Sequence, residues 1–299
     1  MIQGEKIKTE IKPSIEKIPF LLLRYCMVPT IIRETIQRHT VTFILYHDLS
    51  PEIADIHFST LKKYYTIISF KEFLDSKKTG RLHQLPPKSL VITFDDGHRN
   101  NYSLIPVLEK HTIPVVIFLC AGIVGTNRHF WWQHGGIRDP RSLKSCPDSE
   151  RLRILADLGF NESKEYDAPH GLTKEEINQM AQCSLINFQS HSSTHPCLTQ
   201  CPADKSFDEI STSKRDLEST YALDIYAFSY PNGDYSEREI AYLKESGYLC
   251  AITCDPGFND DTTSLYQVKR FSMNSDADIN NLLVRASGLW AFLKQIIIR

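Results

Sequence analysis

The sequence predicts an α/β fold: a parallel sheet of the barrel type with helices outside. Three observations predict it. From about residue 40 onward, short runs rich in β-branched and aromatic residues alternate with capped helical segments. Nearly every strand-like run ends in polar, chemically capable residues. The chain has 299 residues, 41% of them hydrophobic and 10% aromatic, enough to give one barrel domain a sizeable core. In parallel barrels the C-terminal strand ends form one mouth, so residues far apart in sequence are expected to meet there.

The elements follow in order. VTFILY (41–46) reads as the first strand, followed by the helical HFSTLKKYYT (57–66) and a short IIS (67–69). After LPPKSL comes the buried strand VITF (91–94), then the helical NYSLIPVLEKHT (101–112) and the β-branched strand VVIFLCA (115–121). A less regular stretch holds HFWWQHGG (129–136) and the helical SERLRILADLGF (149–160). Thr173-x-x-Glu176 is a capping box opening a helix over 174–183, and LINFQS (185–190) is the next strand. Ser206-x-x-Glu209 reads as a second capping box, opening a helix over 207–221. YAFSYP (226–231) is a strand, and Ser236-x-x-Glu239 caps a helix that Gly247 stops. YLCAIT (248–253) returns as a strand, and 279–298 reads as one long helix.

This pattern gives a domain over 41–299 preceded by an N-terminal extension, 1–40. The extension opens with mixed charges unlike a secretory leader, and its apolar stretch, IPFLLLRYCMVPTII, is too short and interrupted to span a bilayer. It is expected to dock on the domain or to touch a membrane surface, which points to a cytoplasmic protein peripheral to the membrane's inner face. Thirty-four basic against 36 acidic residues, with no basic run, argue against a nucleic-acid partner. The eight cysteines lack metal-ribbon spacing and are expected as free thiols.

Asp95 and Asp96 stand side by side where VITF ends. A solvated turn would account for them; so would a cation between them. His191 and His195 are four residues apart at another strand end, in HSSTH. Two imidazoles and a carboxylate form a common ligand set for Zn²⁺ or another divalent ion, although an HxxxH pair alone is equally an exposed surface loop. Taken together, one aspartate serves the metal while the other is free to act as a base. The residues themselves do not say which does which.

TFDDG (93–97), followed about a hundred residues later by HSSTH (191–195), resembles the NodB-homology polysaccharide deacetylases, carbohydrate esterase family 4. The resemblance covers roughly 41–290 and includes the flanking LPPKSLVITFDDG, IPVVIFL, YPNGDYS and KESGY. It implies a distorted (β/α)7-type barrel, the NodB-homology fold, and hydrolysis of N-acetyl, sometimes O-acetyl, groups on sugars. It implies Asp95 as catalytic base and Asp96, His191 and His195 as ligands of a divalent metal, most simply Zn²⁺. Asn232 stands where members offer a backbone N–H to the oxyanion. The arginine that usually orients the base is replaced by Ser229, and Arg270 in VKRF is the candidate substitute. The C-terminal Leu-x-x-His motif is absent; His47, at the end of the first strand, stands where one subgroup supplies its general acid, the alternative being a histidine hydrogen-bonded to Asp48.

The function expected is therefore metal-dependent release of acetate from an N-acetylated sugar. The partner would be an amino-sugar glycan or a lipid-linked or nucleotide-linked precursor. An O-acetyl esterase and an inactive carbohydrate-binding relic are the alternatives. Trp131 and Trp132 are candidates either for stacking on sugar or for packing over the barrel. His98 and Tyr102 line the mouth or lie on the surface beside it, and His129 and His134 are not expected as ligands.

Overall fold

The computed structural model describes residues 18–297. Eight strands form one sheet in which every ladder is parallel: β1 (Thr42–Tyr46), β2 (Thr66–Ile67), β3 (Ser89–Phe94), β4 (Val115–Leu119), β5 (Ile186–Ser190), β6 (Ala227–Ser229), β7 (Cys250–Ile252) and β8 (Phe271–Ser272). The order is β7-β6-β5-β4-β3-β1-β8, with β2 added beside β3. One segment joins the two ends. Val268 bridges Ile252 of β7, and four residues later Ser272 pairs with Leu45 of β1. The seam is thin, and the barrel is correspondingly distorted.

Because side chains alternate along a strand, one face of each strand looks into the barrel. Phe43, Val91, Val116, Phe118, Ala227, Cys250 and Ile252 share one buried cluster, which also holds Phe70 and Phe73. The latter two lie on the helix Phe70–Lys78, opened by the Ser69–Glu72 capping box, and Phe73 meets Phe43 edge-on at 4.7 Å. That helix plugs the barrel. The sequence does not announce it: the short IIS run, which overlaps β2 at Ile67, leads straight into the Ser69 cap. Two residues further along the inner faces, the hydrocarbon gives way to Thr93, Gln189 and Ser229, and then to the strand-end residues of the mouth. The opposite faces of the strands pack under the surrounding helices in the larger cluster, with Ile44, Ile92, Ile117 and Phe228 at its centre.

Two other elements depart from expectation. The helix over 207–221 begins earlier, at Ala203, so Ser206 lies inside it and caps nothing; its hydroxyl donates to Glu239 (3.0 Å). The long C-terminal helix is broken into Ile279–Ala286 and Leu289–Ile297. Gly288 makes the break with φ +81°, and a Cβ there would sit 2.6 Å from the Phe271 ring. Capping boxes at Thr173 and Ser236 form as expected.

Residues 1–17 of the expected extension lie outside the described residues; 18–35 form two short helices, Ile18–Tyr25 and Val28–Thr35. Among the described residues no helix is long and apolar enough to cross a membrane. The eight cysteines are unpaired.

Candidate active site

His47, Asp95, Asp96, His191, His195, Asn232 and Cys254, from the ends of five strands, line one cavity of about 640 Å³. The backbone is forced there. Asp96, Ser192, His195 and Asn232 all have positive φ, between 57° and 72°. Non-glycine residues adopt that region rarely, and such strain concentrates where surrounding structure imposes it for function. Gly97 must be glycine, because a Cβ would lie 2.7 Å from Leu119.

Asp96, His191 and His195 bring one carboxylate oxygen and two imidazole nitrogens within 4.8 Å of one another, all buried. His191 Nδ1 faces the Ser229 carbonyl at 2.7 Å; a carbonyl only accepts, so that nitrogen donates and Nε2 keeps its lone pair. Nε2 then confronts Asp96 Oδ1 at 3.4 Å, and His195 Nε2 approaches the same oxygen at 3.5 Å. Asp96 Oδ1 has no hydrogen-bond partner. A buried carboxylate oxygen facing two imidazole nitrogens, one with its lone pair fixed inward, is what a divalent cation requires. Burial would raise the Asp96 carboxyl, but the imidazoles around it, among them His98 bonded to Oδ2, hold it well below the ordinary value. Burial and the neighbouring His191 push His195 down to about 3, so its imidazole is neutral, as a ligand must be. The exposed-loop alternative for HSSTH does not apply, since His191 and His195 are both buried.

The loop carrying these histidines is held from outside. Glu209 Oε2 accepts from the backbone N–H of Ser193 and of Thr194, both at 2.8 Å, and Oε1 accepts from the Thr194 hydroxyl at 2.6 Å. Glu209, read from sequence as the partner in a capping box, instead clamps this loop. The Trp131 indole donates to the His195 carbonyl at 2.9 Å and rests on the buried Arg151 guanidinium at 4.9 Å. Trp131 is therefore a packing anchor, whereas Trp132 lines the cavity with its ring 4.2 Å from that of His195. His98, buried at the mouth, reaches Asp96 Oδ2 at 3.1 Å. Tyr102 turns away to Gln179, His129 to the Ala168 carbonyl and His134 to the Leu158 carbonyl.

Asp95 has a different environment. Arg270 grips it with both terminal nitrogens, Nη1 to Oδ1 at 2.8 Å and Nη2 to Oδ2 at 2.5 Å. Ser229 donates to Oδ2 at 3.2 Å, and Arg270 is itself fixed by the Thr253 carbonyl (2.8 Å) and by the Ser229 and Thr93 hydroxyls (2.8 and 3.2 Å). Burial would raise the carboxyl, but the charge and hydrogen bonds of Arg270 outweigh it and hold Asp95 below the ordinary range. A small residue at 229 leaves room for a guanidinium arriving from the strand across the seam. Sequence reasoning did not anticipate the part of Ser229; its hydroxyl completes the grip.

Asn232 occupies the turn after β6, whose bonds are donated by Gly233 to the Tyr230 carbonyl (2.8 Å) and by Asp234 to the Pro231 carbonyl (3.2 Å). Its side-chain amide touches Cys197 Sγ at 3.4 Å. His47 is exposed at the rim. It is not bonded to Asp48, whose carboxylate instead takes the Asn100 amide at 3.0 Å.

The family model for polysaccharide deacetylases matches residues 83–251, more than half of the chain. YxkH of Bacillus subtilis, itself only assigned to the polysaccharide deacetylases, is 24% identical over 184 residues, 61% of this chain and 50% of that protein. The chain thus spans about half the length of that curated relative. Among solved structures, Streptococcus pyogenes deacetylase PplD in complex with acetate superposes with a TM-score of 0.61 at 18% identity, covering 83% of this chain and 98% of that one. IcaB from Ammonifex degensii gives 0.61 at 19% identity, covering 83% and 97%. Identities this low establish the fold, a parallel sheet curled into a distorted barrel with helices. The family match, running from the approach to TFDDG through HSSTH to β7, shows that this chain belongs to the NodB-homology polysaccharide deacetylases, carbohydrate esterase family 4.

Proposed function

We propose that this chain is a metal-dependent hydrolase that removes N-acetyl groups from an amino sugar of a glycan or glycan precursor, releasing acetate. The observation that carries the reading is the contrast between two adjacent aspartates. Asp96 faces two imidazoles with one oxygen unpartnered, while Asp95 is held ionised and oriented by Arg270 and Ser229.

Asp96, His191 and His195 would hold the cation, most simply Zn²⁺, which when bound polarises a carbonyl and makes a water easier to deprotonate. The remaining steps belong to the chain. Asp95 takes a proton from the attacking water; its lowered pKa keeps it ionised for that task, and the Arg270 fork prevents it from turning away. The Asn232 N–H, in its left-handed turn, donates to the developing oxyanion. His47 at the rim delivers a proton to the leaving amine. Trp132 offers a ring to the sugar face. An ester leaving group needs less protonation, so O-deacetylation would rely less on His47. The intact set of base, arginine and buried triad weighs against a binding relic.

For the N-terminal helices we propose contact with a membrane surface from the cytoplasmic side. Leu21, Leu22, Tyr25, Met27, Val28 and Ile31, on and between two consecutive short helices, are all exposed among the described residues, and clustered exposed apolar side chains mark interaction surfaces. Sedimentation with anionic vesicles should carry down the wild type but not a Leu22→Ser, Ile31→Ser variant.

The test of the catalytic reading is acetate release from N-acetylated chito-oligosaccharides and from a lipid-linked N-acetylhexosamine, with Asp95→Asn as control. Acetate from wild type alone supports the proposal; equal acetate from both rejects it.

A further inference from the structure

A second cavity, about 530 Å³, lies beside the first and shares Cys254 and Ser272 with it. It sits between β8 and the C-terminal helix, where Arg285, Trp290, Lys294 and Gln295 line it. Among the described residues no carboxylate lines it, and neither the half-buried Arg285 nor the exposed Lys294 is in an ion pair. Arg285 is positioned by Asn281, whose Oδ1 accepts from Nε at 2.6 Å, and by a 3.4 Å bond from Nη1 to the Ser272 carbonyl. Trp290 carries a buried indole N–H with no hydrogen-bond partner among the described residues. A guanidinium, an ammonium, an indole N–H and an amide around a hollow free of acids are donors for an oxyanion. A guanidinium fork beside an ammonium is a donor set that phosphate oxygens accept from.

We propose that this cavity is a phosphate subsite, so that the substrate is a glycosyl phosphate or diphosphate whose acetamido sugar occupies the first cavity. The inference rests on the deacetylase reading and narrows it. Two kinds of molecule present that chemistry, a nucleotide-linked sugar and a lipid-linked one. The surroundings favour the lipid: the Arg285 guanidinium lies over the Phe20 ring (5.7 Å) and the Trp290 ring (5.8 Å), and Phe20 belongs to the helix that exposes Leu21, Leu22 and Tyr25. A chain leaving the phosphate in that direction meets apolar surface.

The experiment compares acetate release from four substrates: a neutral chito-oligosaccharide, an N-acetylhexosamine 1-phosphate, its uridine-diphosphate form, and its polyprenyl-diphosphate form in micelles. Wild type and Lys294→Glu are run side by side, and binding of inorganic pyrophosphate to both is measured by calorimetry. Lys294 is exposed, so the variant should fold. The expected result is a KM about tenfold higher for the phosphorylated sugars in Lys294→Glu, weakened pyrophosphate binding, and no change on the neutral oligosaccharide. Preference for the polyprenyl form over the uridine form identifies a lipid source, and the reverse a nucleotide. Equal effects of Lys294→Glu on charged and neutral sugars, or no pyrophosphate binding, overturn the subsite. Lys294-dependent pyrophosphate binding without acetate from any sugar would leave the subsite standing and remove the deacetylase reading instead.

Discussion

Arg270→Gln is the most informative single perturbation of the base. In the folded chain its guanidinium makes two charge-assisted bonds to Asp95 and three more to Thr253, Ser229 and Thr93. Removing one partner of a fully buried ion pair leaves the other charge uncompensated, at a cost of about 3–5 kcal/mol. Typical domain stabilities are about 5–15 kcal/mol, so the variant should remain folded in the cold but melt well below wild type. The catalytic effect has a distinct signature. Freed from its fork, the Asp95 carboxylate is both less well aimed and, with burial no longer opposed by Arg270, harder to ionise. Acetate release should fall about 100-fold in kcat with KM little changed. The acid limb of kcat/KM should move to higher pH, because the base must be deprotonated to act. Ser229→Arg combined with Arg270→Ala supplies a guanidinium from β6 to the same carboxylate and should recover part of kcat. Arg270→Gln with near wild-type kcat and an unmoved acid limb would refute the assignment of Arg270 as the group that positions the base.

Three further expectations follow from the same geometry. His47→Gln, at an exposed position, should leave the melting temperature unchanged while slowing amide cleavage by about 100-fold and ester cleavage by much less, read by parallel assays on N- and O-acetylated sugars. Glu209→Gln loosens the HSSTH loop and should weaken metal affinity about 10- to 100-fold, measured by competition with a chromophoric chelator. Asp148 bonds Arg151 (2.5 Å), under Trp131, and Lys205 (2.8 Å); burial opposes its ionisation, but hydrogen bonds from Lys205 and Arg151 hold its carboxyl below the ordinary 3.8. A depressed carboxyl stabilises the fold above its unfolded value and loses that contribution as pH falls through the folded one. The melting difference between wild type and Asp148→Asn, about 3 kcal/mol at neutral pH, should therefore close as pH falls below 3.8.

Much of the site was legible because it obeys the period of a strand. His47, Asp95 and His191 each continue the inward-facing set of their strand, so a run of alternating residues already told where its polar end would point. What the sequence hid was use at a distance. Ser206 and Glu209 carry the local signature of a helix start, yet the carboxylate serves backbone amides of another strand end. The helix Phe70–Lys78 is short, and its buried residues, Phe70, Phe73 and Leu74, are too few to show a helical period by themselves; the barrel's Phe43 and Phe118 give them something to pack against. The break at Gly288 interrupts an otherwise continuous amphipathic pattern, and only the Phe271 ring beside it demands a glycine. The grip of Arg270 on Asp95 joins residues 175 apart in sequence, across the seam.

The central claim is a division of labour between neighbouring aspartates, one for the cation and one for the proton. It is tested most directly by measuring bound zinc and acetate release together in wild type, chelated and zinc-restored wild type, Asp95→Asn and Asp96→Asn. Stoichiometric zinc with no acetate in Asp95→Asn, loss of both in Asp96→Asn, and recovery of acetate when zinc is returned to chelated wild type are the predicted results. Zinc lost from Asp95→Asn, or acetate still released by Asp96→Asn or by chelated enzyme, would contradict the account.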